Sequence, residues 1–149
     1  MTPLFKKLNY KPDMGKALIL NAPESFDTEL ELLQSVDIKT EPEPTPFTLA
    51  FAITLEELAK YAKILAENTT GDAIVWIGYP KKSSKKYKGE FTRDDTWGAF
   101  ADYGLEAVRN VAIDDDWSAL RFRRVEFIKS MKRDSKRAGT KEGKKKTES

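Results

Sequence analysis

Apolar residues recur along this chain in two rhythms, and each change of rhythm marks a new element. After a turn-rich lead-in at residues 9–15, residues 16–22 form a short apolar run of strand length that Pro23 closes. Phe26, Leu30 and Leu33 then fall four and three residues apart, which is one face of a helix, with Ser25 or Asp27 available to cap its start. Residues 36–40 alternate and predict a short exposed strand. Residues 41–46 carry Pro42, Pro44 and Pro46, which remove amide donors and fix φ, so this stretch reads as a stiff loop. Residues 47–53 are almost continuously apolar, as a strand covered on both faces should be.

Thr54 and Glu57 stand in capping-box spacing and open a helix with Leu58, Ala62 and Leu65 on one side, ending by residues 69–71. Residues 72–78 are the clearest buried strand, terminated by Tyr79 and Pro80, and residues 81–89 form a basic loop. Thr92, Asp94 and Asp95 put a cap and two acids at the positive end of the next helix, whose inner face takes Trp97, Phe100, Ala101 and Leu105. Residues 108–113 predict another strand, Asp114, Asp115 and Asp116 a turn, and residues 117–127 a long final strand. No internal repeat is visible.

Strands alternating with helices imply a mainly parallel sheet with helices on both faces. The last two strands are too closely joined for a crossover and should form an antiparallel hairpin. The expected fold is a three-layer, Rossmann-like α/β domain over residues 1–128 with a C-terminal antiparallel hairpin.

Composition narrows the chemistry. The 149 residues contain no His and no Cys, which excludes histidine- or cysteine-dependent nucleophilic catalysis and cysteine-based zinc or iron–sulfur sites. No apolar run approaches the ~20 residues of a membrane helix, and the N-terminus lacks a signal peptide's apolar core, so a soluble cytoplasmic protein without membrane contact is expected. The net charge of +2 conceals an asymmetry: residues 129–149 hold nine Lys or Arg against three acids, while the rest of the chain carries 17 basic and 21 acidic groups. That basic tail has almost nothing apolar to bury and is expected to be disordered.

In an open α/β sheet, ligands bind beyond the carboxyl ends of the strands. That edge should receive residues 21–23, Thr54, residues 79–82 and the hairpin turn 114–118. If the final strand lies beside the 72–78 strand, Trp117 and Ser118 come close to Tyr79 and Lys81. Asn21, Tyr79, Lys81, Lys82, Trp117 and Ser118 are therefore the candidate ligand-binding residues. In that arrangement Lys81, Lys82 and Ser118 hold an anionic group, and Trp117 and Tyr79 flank an apolar portion. The alternative makes Trp117 a core plug, Asp114–Asp116 turn formers and Ser118 a hydrogen bonder at the strand start. Five lysines between Lys81 and Lys88, with Tyr87 among them, suit either weak nucleic-acid contact or a solvated loop. The basic tail carries the same two options. No acid pair is marked out as general acid and base, and no metal or cofactor is expected. Arg121, Arg123 and Arg124 on the final strand suit phosphate binding or, the favoured reading, charges that keep an edge strand from aggregating.

Two resemblances join these segments. Ala73-Ile-Val-Trp-Ile-Gly-Tyr-Pro-Lys-Lys82, Gly104-Leu105 and Asp116-Trp-Ser-Ala-Leu-Arg-Phe122 resemble the "W-x-x-x-P-K", "G-L" and "D-x-W-S-x-x-R-[FL]" motifs of an uncharacterised bacterial family of short proteins. Leu8-Asn-Tyr-Lys-Pro12 and Leu18-Ile-Leu-Asn-Ala-Pro23 are similar to its N-terminus. That resemblance implies the Rossmann-like fold and carries no activity. More distantly, the order of elements from residue 47 is similar to the second half of class I S-adenosylmethionine-dependent methyltransferases. Those enzymes hold their cofactor at a Gly-rich turn after the first strand. Here that turn is Asn21-Ala-Pro-Glu-Ser25, without glycine and with a proline that deletes an amide donor. The expected function is a small binding or regulatory module on a degenerate fold, without catalysis. The alternatives are a small transferase-like or nucleotide-binding enzyme at the carboxyl edge, and weak nucleic-acid association through the tail and lysine loop. A small anionic ligand or a protein is the expected partner.

Overall fold

The computed structural model of the chain describes residues 2–33 and 36–128. The basic tail expected at 129–149 lies outside them. Among the described residues six strands form one sheet: β1 (Lys16–Leu20), β2 (Asp37–Lys39), β3 (Phe47–Phe51), β4 (Ile74–Pro80), β5 (Leu105–Ala112) and β6 (Trp117–Arg124). Their order is β2-β1-β3-β4-β6-β5, with β1 to β4 parallel and β6 antiparallel to both of its neighbours. The Rossmann-like α/β sheet with a terminal hairpin is therefore present.

Strand alternation builds a core on each face of the sheet. On one face Ile19, Leu49, Phe51, Trp76 and Trp117 pack under the N-terminal helix α1 (Pro3–Lys7) and the segment leading into α2 (Asp27–Glu31). On the other, Leu18, Ala50, Val75, Ile77 and Phe122 meet α3 (Leu55–Glu67) and α4 (Arg93–Ala101). All five residues of β3 are buried, which is why its sequence shows no polar alternation.

Several boundaries differ from those the sequence suggested. Ahead of the turn-rich lead-in lies α1, signalled by Thr2 as N-cap and Pro3 at the first helical position. Neither Ser25 nor Asp27 caps α2; a 3-10 turn at Glu24–Phe26 runs straight into it, although Phe26 and Leu33 are buried as the helical spacing required. Strand β4 continues through Tyr79 to Pro80, which pairs with Trp117, and the Lys81 amide beyond it donates to the Asp116 carbonyl. Strand β5 begins three residues earlier than expected, so Leu105 belongs to it rather than to α4. A register shift at Val108 turns Leu105 and Ala107 toward α4 but Val111 toward the opposite core. This bulge breaks the alternation that would have revealed the strand's start. The final strand stops at Arg124 and gives way to a 3-10 turn at Val125–Phe127.

The three arginines of β6 do not guard an edge, because β6 lies between β4 and β5. Arg123 pairs in bidentate fashion with Asp72, at 2.6 Å for each contact. Arg124 donates to the carbonyls of Ala66, Thr69 and Gly71, closing the C-terminal end of α3. No helix among the described residues is long and apolar enough to cross a membrane.

Candidate functional site

The chain leaves β1 toward β2 on one side and leaves β3 toward β4 on the other, so the topological switch point is the crevice beyond the carboxyl ends of β1 and β3. Asn21 follows β1 in the left-handed conformation, with φ of 55°. Its side-chain amide spans the crevice, donating to the Phe51 carbonyl at 2.9 Å and to Glu57 Oε2 at 2.8 Å. The second carboxylate oxygen of Glu57 accepts from the Ile53 and Thr54 amides at 2.9 and 3.1 Å, while Thr54 Oγ1 accepts from the Glu57 amide, completing the capping box. Glu90 Oε1 accepts from the Leu55 amide at 3.2 Å. At the entrance to α3, the amides of Ile53, Thr54 and Leu55, which could otherwise meet an anionic ligand, already face the chain's own carboxylates. Burial works to raise the Glu57 carboxyl, but the bonds from Ile53, Thr54 and Asn21 outweigh it and hold the group below its ordinary value.

On the α1 side of the sheet the carboxyl edge is filled by a row of rings. Phe26 lies 5.1 Å from Phe51, Phe51 5.2 Å from Trp117, and Trp117 5.0 Å from Tyr87, centroid to centroid. Gly78 makes room for this row, because a Cβ there would come within 2.7 Å of the Phe51 ring.

The lysine-rich segment after β4 is strapped across the same edge. The Lys81 amide donates to the Asp116 carbonyl, Ser84 Oγ to Asp116 Oδ1, and the Tyr87 amide to Ser84 Oγ; farther on, the Glu90 amide donates to the Ile53 carbonyl. Asp114 Oδ1 accepts from the amides of Asp116 and Trp117, both at 2.8 Å, so Asp114 shapes the turn and Asp116 anchors the strap. Lys82, Lys85, Lys86 and Lys88 stay exposed, whereas Tyr87, the loop's one aromatic, is turned onto Trp117 instead of being offered for base stacking.

All six residues singled out from the sequence lie at this edge. The register pairs Tyr79 with Ser118 and Pro80 with Trp117, bringing together the two segments that were expected to meet. They do not line one space. Trp117 is buried against the α1 face, while Tyr79 packs on the α3–α4 face, where its hydroxyl accepts from Asn110 Nδ2 at 3.1 Å. Asn21 is engaged with Phe51 and Glu57, and Lys81 contributes its backbone to the strap. Sequence reading passed over Glu57 and Glu90 as site residues; the capping-box spacing was a signal for the first, and nothing local marked the second.

A cavity of about 470 Å³ opens at the opposite, amino-terminal edge of the sheet, between the proline loop (Pro44, Pro46), Met14 and the end of α3 (Asn68). Thr45, Glu67, Thr70 and Asp72 also line it, and Asp72 is already held by Arg123.

No protein-family model and no curated protein matches the chain, so the bacterial family of short proteins gains no support from either comparison. Solved structures do match its fold. A SAM-dependent methyltransferase from Aquifex aeolicus superposes with a TM-score of 0.52 at 15% identity, over 80% of this chain and 86% of that one. The mitomycin 7-O-methyltransferase MmcR gives 0.50 at 10% identity, over 77% of this chain and 50% of that one. The chain thus has a methyltransferase-like α/β fold.

Proposed function

We propose that this chain is a small binding or regulatory module on a methyltransferase-like fold, whose cofactor crevice is closed by its own side chains. The bridge from Asn21 to Glu57 carries this reading. An adenosyl cofactor at the switch point would have to displace that bridge. It would then meet Pro23, which has no amide to offer, and the amides of Ile53, Thr54 and Leu55, already turned to Glu57 and Glu90. The residues present do not fit the group.

The fold likeness to the Aquifex protein favours a second reading, a small transferase working at the same edge once bridge and strap open. Titrating S-adenosylmethionine and S-adenosylhomocysteine into the purified protein, by melting temperature and calorimetry, separates the two. A closed module gives no heat and no shift. Saturable binding to the wild-type chain, with an affinity that Asn21→Gly leaves unchanged, would favour the transferase and overturn the closed crevice.

A further inference from the structure

A second polar centre lies away from the carboxyl edge, where the turn after α1 meets the β5–β6 hairpin. Arg109 and Arg121 face each other across the hairpin register, and both guanidiniums donate to one neutral acceptor, Asn9 Oδ1, at 3.4 and 3.2 Å. Arg121 is partly buried, and its Nε has no partner among the described residues. Burial, and then the neighbouring Arg123 and Arg109, depress its basicity; Asp72 works the other way, but that carboxylate is held by Arg123 at 2.6 Å. Two like charges on one uncharged oxygen repel each other, an arrangement that invites an anion.

Asn9 is fixed as a placeholder. It occupies the left-handed residue of a Schellman turn, with φ of 66°: its amide donates to the Lys6 carbonyl and that of Tyr10 to the Phe5 carbonyl. The Phe5 and Tyr10 rings close the motif edge to face, 6.1 Å apart, and Trp76 Nε1 pins the preceding carbonyl of Leu8 at 2.8 Å. Glycine is the usual occupant of that position, so an asparagine there adds a polar side chain at the cost of some backbone strain. Rotation of its amide would exchange the shared oxygen for an N–H donor.

We propose that Asn9, Arg109 and Arg121 form a phosphate-binding site, in which a phosphate dianion takes the place of Asn9 Oδ1 between the two guanidiniums. A dianion neutralises both charges and presents oxygens to both forks, whereas a carboxylate leaves one charge uncompensated. The shared chemistry is a phosphate group, whether inorganic or carried as a small monoester.

Melting temperature of the full chain is followed against inorganic phosphate and glycerol phosphate, with chloride at matched ionic strength as control. Wild type should be stabilised saturably by phosphate and not by chloride; a response to glycerol phosphate alone assigns the ester as source. Arg109→Gln, at an exposed position, should weaken the apparent affinity about tenfold or more, the loss expected for one charge-assisted contact. Asn9→Asp places a built-in carboxylate between the arginines and should raise the melting temperature without phosphate while abolishing the response. Displacement of the Arg121 Nε–H resonance by phosphate is an independent readout. A response unchanged in both variants, or matched by chloride, would overturn the site and leave only a diffuse basic surface.

Discussion

Asn21 and Glu57, one at the end of β1 and the other in the first turn of α3, are joined by a 2.8 Å hydrogen bond across the crevice that the topology leaves open. Asn21 contributes there in two ways, through its amide and through its tolerance of the left-handed backbone. Asn21→Ala should therefore cost roughly 2 kcal/mol, from lost hydrogen bonds plus backbone strain, while Asn21→Gly should cost about 1 kcal/mol because only the bonds are lost. Urea unfolding of the two variants checks the order. Equal losses would mean that the backbone conformation contributes nothing.

Acid should loosen the molecule at two places. Glu57 and Asp72 both have carboxyls held below their ordinary values of 4.5 and 3.8; Asp72 owes this first to its hydrogen bonds with Arg123. A depressed folded value means that the unfolded chain takes up protons first. The stabilisation is complete above the unfolded values and disappears as pH falls through the folded ones. Stability should thus decline below about pH 5. Glu57→Gln retains a side chain suited to the capping box but removes its titration, and should flatten part of that acid limb when unfolding is measured across pH.

Gly78 is constrained by its neighbour across β3 and β4. In Gly78→Ala the new methyl would press on the Phe51 ring, which is wedged between Phe26 and Trp117. The expected loss is about 1–3 kcal/mol by thermal or urea unfolding. Adding Phe51→Leu to Gly78→Ala should cost less than the two single changes summed.

Tyr87 covers Trp117 from the strap. Tyr87→Ala should red-shift the tryptophan emission and destabilise by roughly 1–2 kcal/mol, from one lost aromatic contact and its buried area. Emission unchanged from wild type would mean that the ring does not shield Trp117.

Elements governed by local chemistry could be read directly from the sequence. The capping boxes at Thr54 and Thr92 fix two helix starts, and the apolar runs of β3 and β4 announce strands covered on both sides. Elements decided by distant partners could not. The alternation of β5 is broken by the bulge at Val108, whose register is set by β6. The arginines of β6 resemble edge charges until the strand order places them inside the sheet beside Asp72, Asn9 and the end of α3. At the carboxyl edge the meeting of residues 79–82 with 117–118 followed from topology. The pleat sends Tyr79 and Trp117 to opposite faces and so divides those residues between two cores.

The position of β6 also constrains the order in which the chain can mature as it is synthesised. One flank of β4 stays bare until Trp117–Arg124 has emerged, so the nascent chain carries Val75, Trp76 and Ile77 on an unpaired ladder for the whole of the intervening segment. A polypeptide stopped before residue 117 would keep every parallel strand and both capping boxes, yet should precipitate or be captured by chaperones. The bare flank of the sheet is thus covered late, by β6, the last strand among the described residues.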